Sequence, residues 1–530
     1  MIKDAFFQRQ NYLDIIAKRV LGLKSGYRQN MAIIGDELVG KTSIIFNFLN
    51  KFCDSRIITL YIETRPETIN SFVRRFIGIL LYNFLSNSGI PLKEDLNFLI
   101  NKSERHIPKT VVKIKGILAA VDKRKKNNVF TELFSLSDSI YQESGKFCVV
   151  ILDEFHNLET LGFINLYREW SKLLILQKNT MYIIISSLKF KSKAILAKNL
   201  SLLFGNFEVI TVEPFDIKTS EQYLDEKLLC IKLDPALRNF IVHFTGGYPF
   251  YLGVIAEALK KSPQPNLIEI LESLFFASSG ILNQRFSNYL KRFLDAEYSN
   301  DYISILYLVS SGCNKIKDIA HTLKIQKKEL ILRVNHLLEL DTATRSGDFL
   351  KINDRVFGFW LRFVHQGRSH SLTFDAKNQR EKFRENIEST LKDFISNAKK
   401  PVIERMTEVL RLFEDEMVQI ERKKLRLNHF REIKPLEFTS RTFKEGLLGR
   451  SHDSLWILAF KRDSLTEEDV AEFAKECKKY QHKLQRKIII TLQDIDSNTR
   501  LRALEEKIWT WDINNLNEIF DLYSKPWVVV

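Results

Sequence analysis

Short apolar runs, separated by stretches with helical spacing, dominate the first two hundred residues of the chain. The runs are rich in β-branched side chains and lie at residues 31–34, 57–62, 147–152 and 181–186. Between them, residues 44–52 and 68–85 carry apolar side chains at the intervals of a helix. Continuous apolar strands that alternate with helices are typical of a parallel sheet buried on both faces. The pattern predicts an α/β fold for residues 1–215.

The hydrophobic pattern changes after residue 215. Residues 216–290 have helical spacing and predict a helical lid. Residues 291–365 predict a winged helix, with three helices and then a hairpin around Gly347. A charged helical connector is expected at residues 366–400, and residues 401–530 return to α/β character. In this last part, strands are predicted at 418–427, 455–461, 487–492 and 507–511, and helices at 403–413, 466–480, 499–505 and 514–522.

Composition narrows the class of protein. Hydrophobic residues make up 45% of the 530 positions, and only 20 glycines and 11 prolines interrupt them, which excludes a disordered chain and favours long helices. The five cysteines lie far apart and form no CxxC pair, so we expect reduced thiols. The sequence opens without the apolar core of a signal peptide and contains no uncharged run of about 20 residues. We therefore expect a cytoplasmic protein without a membrane partner.

A phosphate-binding motif follows the first predicted strand. Its residues fit G-x-x-x-x-G-K-[ST] and are Gly35, Asp36, Glu37, Leu38, Val39, Gly40, Lys41, Thr42 and Ser43. The glycines of such a motif let backbone N–H groups and a helix N-terminus face phosphate oxygens. Lys41 is predicted to reach the β- and γ-phosphates, and the Thr42 hydroxyl to bind Mg²⁺. The motif predicts ATP or GTP binding.

Two acids end the third apolar run. Asp153 and Glu154 follow an uncharged strand, which would bring them to the edge of the sheet where ligands bind in α/β folds. Asp153 is predicted to hold Mg²⁺ through water, and Glu154 to orient and polarise the attacking water. At the end of the next strand, the Ser187 hydroxyl is predicted to sense the γ-phosphate. The alternative is that Ser186 and Ser187 only begin a turn.

These motifs resemble those of the archaeal-type STAND ATPases, which are relatives of AAA+ proteins and of the Orc1/Cdc6 initiators. Residues 6–13 look like the family's F-x-G-R-x-x-E-L opening box, with Arg9 at its arginine, although Gln8 replaces the glycine and Tyr12 the acid. The resemblance implies that Arg9 belongs to the nucleotide site. It also implies ATP rather than GTP, and the sequence has no N/T-K-x-D motif for reading guanine.

Two further segments carry the resemblance, which covers residues 1 to about 365. Residues 245–252 are similar to the family's G-G-[HY]-P-x-Y-L motif, whose proline, here Pro249, packs near the nucleotide base. Residues 351–360 resemble its Y-x-I-x-D-P-x-F-x-F-W strand at the end of the winged helix. The implied architecture is a P-loop parallel sheet with a helical lid, a winged helix-turn-helix and a C-terminal α/β domain.

The sequence departs from the family pattern at two sites. The family usually carries an arginine after the sensor strand, where this chain has Asn206. Without that cation less transition-state charge is neutralised, which favours slow hydrolysis or an arginine from a neighbour. The tail is similar to a restriction-endonuclease-like domain, but Ala459 stands at its metal-binding glutamate, two residues before Lys461. We expect an inactive nuclease-like domain; the alternative is an unrelated α/β domain.

The chain is strongly basic. Its 80 lysines and arginines exceed its 65 aspartates and glutamates by 15, and residues 417–462 hold eleven basic but only five acidic side chains. A second basic cluster lies at residues 123–126. The predicted recognition helix carries Lys327, Lys328, Arg333, Asn335 and His336. These patches predict double-stranded DNA as the partner.

Three functions compete at this level. The leading hypothesis is an ATP-dependent switch that engages DNA through the winged helix and the basic tail. The alternative is an ATP-regulated signalling or assembly scaffold without nucleic-acid binding, whose winged helix and tail bind a protein partner or a second copy of the chain. The third is an active nuclease, which Ala459 disfavours because one carboxylate fewer is left to hold Mg²⁺.

Overall fold

The structure is a computed structural model, and it describes residues 7–86, 92–124, 128–200, 207–294, 298–369, 375–420, 423–439, 442–480 and 483–529. The chain divides into two compact units. The first, called the phosphate-loop unit below, comprises Met1–Phe215 together with Tyr248–Phe250 and Glu339–Asp341. The second unit comprises the remainder. Within the described residues, no helix is long and apolar enough to cross a membrane.

A five-stranded parallel sheet forms the centre of the phosphate-loop unit. Its strands are β1 (Asn30–Ile34), β2 (Ile57–Glu63), β3 (Phe147–Asp153), β4 (Thr180–Ser186) and β5 (Phe207–Thr211), in the order β2-β3-β4-β1-β5. Every residue of β1 and β4 is buried, because helices cover both faces of the sheet. The predicted α/β fold with a parallel sheet is thereby confirmed. The sequence pattern did not predict β5, which is an edge strand and only half-buried.

Nine helices of the described residues belong to this unit. They are α1 (Gln10–Lys24), α2 (Lys41–Lys51), α3 (Ile69–Ser86), α4 (Leu96–Ser103), α5 (Pro108–Asp122), α6 (Val129–Phe134), α7 (Leu136–Ser144), α8 (Leu166–Leu176) and α9 (Lys189–Lys198). A 3-10 helix, Phe155–Leu161, follows β3. Five of the helices, α3 to α7, follow β2 and precede β3 along the chain. They share one apolar core with the sheet.

The second unit begins with helices and continues with three helices and a hairpin in the segment where a winged helix was predicted. Its first helices are α10 (Ile217–Lys227), α11 (Pro235–Thr245), α12 (Pro249–Lys261), α13 (Leu267–Phe275) and α14 (Ile281–Leu294). Then come α15 (Ser299–Ser310), α16 (Ile316–Leu323), α17 (Lys327–Glu339) and the hairpin of β6 (Ala343–Ser346) and β7 (Phe349–Ile352). This hairpin lies where the wing was predicted and is called the wing below. The next elements are α18 (Arg355–Trp360), a π-helical turn (Leu361–His365), α19 (Gln366–Ser369) and α20 (Ala376–Ala398).

The tail of the second unit is an α/β layer structure. It contains α21 (Val402–Leu410), the hairpin of β8 (Glu416–Ile420) and β9 (Lys423–Leu427), and β10 (Glu432–Glu437), β11 (Glu445–Arg450), β12 (Leu455–Lys461), β13 (Leu484–Thr491) and β14 (Trp509–Trp511). Its helices are α22 (Glu467–Cys477), α23 (Ser497–Glu505) and α24 (Ile513–Leu522), with a 3-10 turn at Lys478–Tyr480. The sheet order is β10-β11-β12-β13-β14, with β12, β13 and β14 parallel. Separate apolar clusters pack on its two faces.

Three expectations for strands in the second unit are wrong in detail. Residues 418–427 form two strands of a hairpin rather than one strand. Residues 351–360 leave the strand after Ile352 and become a helix, because Asp354 caps it by accepting a hydrogen bond from the Phe357 backbone N–H over 3.0 Å. The strand expected at 507–511 is limited to Trp509–Trp511.

Candidate nucleotide-binding site

The phosphate loop joins β1 to α2, and two glycines give it its shape. Gly40 has a φ of 90°, in the left-handed region that favours glycine, and α2 begins at the next residue. Gly35 is held close to the neighbouring chain, since a Cβ there would lie 2.3 Å from the carbonyl oxygen of Val212. The loop therefore presents its backbone and the N-terminus of α2 in the arrangement that suits phosphate oxygens.

The Lys41 side chain folds over this loop. Its Nζ donates to the carbonyl oxygens of Gly35 and Asp36, over 2.9 and 2.6 Å. Burial lowers the pKa of Lys41, and the nearby carboxylates of Glu154 and Asp153 oppose that shift. A buried ammonium beside main-chain oxygens has a strong preference for an anionic ligand.

The structure brings Thr42 and Asp153 together from positions far apart in the sequence. Asp153 ends β3, and its Oδ2 accepts hydrogen bonds from the Thr42 hydroxyl over 3.0 Å and from the Tyr61 hydroxyl over 2.6 Å. A hydroxyl and a carboxylate are oxygen donors of the kind that Mg²⁺ prefers. Thr42 and Asp153 therefore fit a bound Mg²⁺, which would neutralise phosphate charge when present.

Glu154 lies next to this pair in a left-handed backbone conformation, with a φ of 49°. Such conformations are uncommon outside glycine and cluster at functional sites. The Ser187 backbone N–H and hydroxyl both donate to its Oε2, over 3.0 and 2.9 Å. Burial raises the pKa of Glu154, and the Ser187 N–H acts in the opposite direction. Glu154 follows β3 and Ser187 follows β4, and these two strands are neighbours in the sheet. Ser187 can therefore hold the carboxylate that is predicted to polarise water.

His156 is a residue of this site that sequence reasoning missed. Its Nδ1 lies 2.8 Å from the Ser186 hydroxyl oxygen and 3.4 Å from Glu154 Oε2. Burial lowers the pKa of His156 to about 4, so the imidazole is neutral near pH 7. The only signal in the sequence is its place two positions after Glu154. His156 and Ser187 together surround the Glu154 carboxylate.

Arg9 lies behind the phosphate loop. Its guanidinium is 8% exposed and donates to the carbonyl oxygens of Val39 and of Glu213, the second over 2.8 Å. The guanidinium also lies 4.7 Å from the centre of the Phe215 ring. Burial lowers the pKa of Arg9. Both contacts are to the protein's own backbone, so Arg9 supports the loop from behind.

The short segment Tyr248–Phe250 belongs to the phosphate-loop unit and reaches the loop through Tyr248. The Tyr248 hydroxyl donates to Asp36 Oδ2 over 3.2 Å, and Lys189 Nζ donates to the same oxygen over 2.8 Å. Pro249, predicted to pack near the base, is the next residue and the first of α12.

Asn206, which stands where the family usually has an arginine, lies outside the described residues.

In the second unit, two of the predicted DNA-contacting residues have intramolecular partners. Arg333 forms an ion pair with Asp301 over 3.1 Å and lies 3.8 Å above the Tyr298 ring. His336 packs against Tyr302, with 4.9 Å between the ring centres. The other three of the predicted residues are exposed on α17; they are Lys327, Lys328 and Asn335.

The wing is covered by the tail. The Asp348 backbone N–H donates to the Met417 carbonyl oxygen over 2.8 Å, and the Met417 N–H donates to Asp348 Oδ2 over 2.9 Å. Ser346 makes a similar pair of bonds with the backbone of Gln419. The β8–β9 hairpin therefore extends the wing and presents three exposed basic residues, Lys423, Lys424 and Arg426.

The tail also shows where the residues of a nuclease-like site lie. Ala459 is fully buried in β12, and the Lys461 side chain forms an ion pair with Asp469 over 3.2 Å. Asp469 is the third residue of α22 and belongs to its capping box with Thr466. The lysine of the nuclease-like pattern is therefore bound within the protein.

Of the basic cluster at residues 123–126, Lys125 and Lys126 lie outside the described residues.

Comparison with solved structures finds archaeal ATPases. A Walker-type ATPase of Pyrococcus abyssi matches at 17% identity, and the match covers 68% of this chain and 97% of its own, with a TM-score of 0.48. The Aeropyrum pernix ORC1 protein in complex with DNA matches at 11% identity over 68% of this chain and 93% of its own, with a TM-score of 0.34. A STAND protein with a tetratricopeptide repeat sensor from Pyrococcus horikoshii matches at 14% identity over 77% of this chain and 47% of its own, with a TM-score of 0.28.

The relatives that the sequence motifs suggested are thus among the structures that this chain resembles. No protein-family model and no curated protein matches the chain. The likeness to solved structures concerns the fold, and the functional argument below rests on this chain's own residues.

Proposed function

We propose that the protein binds ATP with Mg²⁺ at the phosphate loop, hydrolyses it slowly, and uses it as a switch that controls binding to double-stranded DNA. The observation that carries the nucleotide part is the hydrogen bond between Thr42 and Asp153. It places the two predicted metal ligands side by side, with Lys41 and Glu154 close enough to influence each other's charge. Chance similarity of the loop to a phosphate-binding motif would not bring these four residues together.

Each residue has a distinct part in the proposed reaction. Lys41 and the N-terminus of α2 bind the phosphates, and Arg9 keeps the loop in shape from behind. Thr42 and Asp153 hold Mg²⁺, whose charge lowers the cost of charge build-up on the phosphate oxygens. Glu154, held by Ser187, orients the attacking water and accepts its proton.

Lys41→Ala tests the nucleotide part. We expect the variant to lose ATP binding, because it lacks the cation that faces the phosphates, while Lys198→Ala, an exposed lysine at the end of α9, should bind ATP like the wild type. Equilibrium binding of a fluorescent ATP analogue measures both. Unchanged binding by Lys41→Ala would contradict the assignment of the loop.

The DNA part of the proposal is supported by exposed basic residues on α17 and on the β8–β9 hairpin. Lys328 and Asn335 of α17 are exposed, and so are Lys424 and Arg426 of the hairpin that extends the wing. Exposed lysines and arginines on a helix and on a hairpin are suited to phosphate contacts. Binding that weakens steeply with salt is the expected signature, because each phosphate contact releases counterions.

A protein-binding scaffold remains the second candidate, and the covered wing favours it. A wing that is hydrogen-bonded to Met417 and Gln419 cannot enter a DNA groove as it stands. ATP turnover measured with and without duplex DNA over a salt series separates the two functions. Retention of DNA at low salt with stimulated or inhibited turnover supports the switch, and no retention at any salt concentration supports the scaffold.

A further inference from the structure

Two lysines of the phosphate-loop unit converge on one residue of the loop. Lys41 donates to the Asp36 carbonyl oxygen over 2.6 Å, and Lys189 donates to the Asp36 carboxylate over 2.8 Å. The Tyr248 hydroxyl donates to the same carboxylate oxygen over 3.2 Å. Asp36 therefore holds both cations at once, one through its backbone and one through its side chain. The positive charges of Lys41 and Lys189 are thus both bound by oxygens of Asp36.

Lys189 has a favourable position for a ligand's phosphates. It is the first residue of α9 and lies two positions after Ser187, which holds Glu154. Strand β4 ends between the acids of β3 and the phosphate loop after β1. Lys189 thus starts at the edge of the sheet where ligands bind in α/β folds. Its side chain is 24% exposed and that of Asp36 is 14% exposed, so their ion pair is only partly screened by water.

The first turn of α9 is unusual in its charge. It contains Lys189 and Lys191 and no acid, and Lys193 follows in the next turn, although the N-terminus of a helix favours negative charge. Lys191 is paired with Glu159 over 2.6 Å, and the Asp341 carboxylate accepts the Phe190 backbone N–H over 2.9 Å. This end of the helix thus depends on anions from elsewhere in the unit, and a phosphate would be a further one.

Lys189 differs from Arg9 in its freedom to move. The Arg9 guanidinium is tied to two backbone carbonyl groups behind the loop. Lys189 is held only through its terminal nitrogen, on a flexible four-carbon stem. Phosphoryl transfer needs cations at the terminal phosphate. The family's usual arginine for this purpose is replaced in this chain by Asn206.

We propose that Lys189 is the second phosphate-binding cation of the site, and that Asp36 restrains it until ATP is bound. The terminal phosphate carries more negative charge than the Asp36 carboxylate, so it would draw Lys189 Nζ away from Asp36. The inference rests on the proposed ATP binding. It predicts that substitution of Lys189 and substitution of Asp36 change the preference for ATP over ADP in opposite directions. A purely structural ion pair would not have this effect.

The test compares the dissociation constants of a non-hydrolysable ATP analogue and of ADP. We expect Lys189→Met to lower the preference for the ATP analogue over ADP about tenfold, the size of one charge-assisted hydrogen bond. Asp36→Asn should raise that preference about threefold, because it frees Lys189. The double variant should behave like Lys189→Met alone. Lys191→Met, on the same helix and paired with Glu159, is the matched control and should leave the preference unchanged.

Melting temperatures without nucleotide show whether each variant is folded. If Asp36→Asn and Lys189→Met both lower the preference, or if neither changes it, the pair is structural and the inference is overturned. If the wild-type protein binds neither nucleotide, the proposed function fails as well. If Lys41→Ala abolishes binding while Lys189→Met keeps the wild-type preference, only the present inference fails.

Discussion

Tyr61 and Asp153 share a hydrogen bond of 2.6 Å between the neighbouring strands β2 and β3, and Tyr61 is the donor. The bond meets the same carboxylate oxygen that accepts the Thr42 hydroxyl. Burial and the charge of Asp153 raise the pKa of Tyr61, so the phenol keeps its proton. Tyr61 therefore fixes the orientation of the carboxylate proposed to hold Mg²⁺.

Tyr61→Phe should weaken the use of Mg²⁺. Partners that orient a metal ligand affect metal affinity by about tenfold or more, so the half-saturating Mg²⁺ concentration for ATP hydrolysis should rise about tenfold. A Mg²⁺ titration of turnover at saturating ATP measures it. Tyr82→Phe, a partly exposed tyrosine on α3, is the matched control. An unchanged titration in Tyr61→Phe would show that Asp153 is positioned without Tyr61.

Glu154→Gln should keep ATP bound but slow its hydrolysis, because the amide cannot accept the proton of the attacking water. The expected loss is about a hundredfold or more. Ser187→Ala should lower turnover less, by about tenfold, since it removes only one of the two hydrogen bonds that hold Glu154. Single-turnover hydrolysis separates both effects from binding. Ser192→Ala on α9 is the control, and wild-type turnover in Glu154→Gln would disprove the role of Glu154.

Acid should destabilise the protein through its buried neutral histidines. Burial lowers the pKa of His156 to about 4. Between about pH 6.5 and pH 4 the unfolded chain therefore binds a proton that the folded chain does not. His156 alone should lower the free energy of unfolding by about 2 kcal/mol at pH 5 relative to pH 7. His243 in the second unit, whose pKa is lowered by burial, adds to the same trend.

His156→Gln should reduce this loss of stability. The drop in melting temperature between pH 7 and pH 5 is expected to be smaller in the variant than in the wild type. His452→Gln, at an exposed position, should keep the wild-type drop. Equal drops in the wild type and in His156→Gln would mean that His156 does not remain neutral in the folded protein.

Lys424→Ala should weaken DNA binding to a similar extent for every DNA sequence. If this exposed lysine of the hairpin contacts a phosphate, its loss should reduce the slope of log affinity against log salt by about 0.9. Arg333→Ala should instead lower the melting temperature and leave the salt slope unchanged, because Arg333 is bound to Asp301 within the second unit. Identical salt slopes for wild type and Lys424→Ala would remove the hairpin from the DNA surface.

The sequence predicted the parallel sheet well, because its strands are marked by local patterns. Apolar runs marked four of the five strands, and the phosphate-loop motif marked the position where β1 meets α2. The geometry then placed Thr42 and Asp153 in contact, as the motif requires. His156 and Lys189 could not be found in this way, since their roles arise from contacts with Ser186 and Asp36 across the sheet.

The tail was harder to predict for physical reasons. Residues 416–420 and 423–427 largely alternate between buried and exposed positions, and the sequence has no glycine between them, so two strands looked like one. Strand β10 is an edge strand that contains Pro435 and is mostly exposed, so it lacks an apolar pattern. The helix that begins at Arg355 depends on the Asp354 cap, which a strand-like sequence pattern concealed.

The hydrogen bonds between the wing and β8 have a consequence for how this protein can be divided. Phe349 of the wing is fully buried in the apolar cluster of the tail, and Asn314 donates to the Leu522 carbonyl oxygen over 2.7 Å. A fragment that stops before the tail would expose Phe349 and an open strand edge, which invites aggregation. The predicted winged-helix segment and the tail should therefore be expressed together, as parts of one fragment.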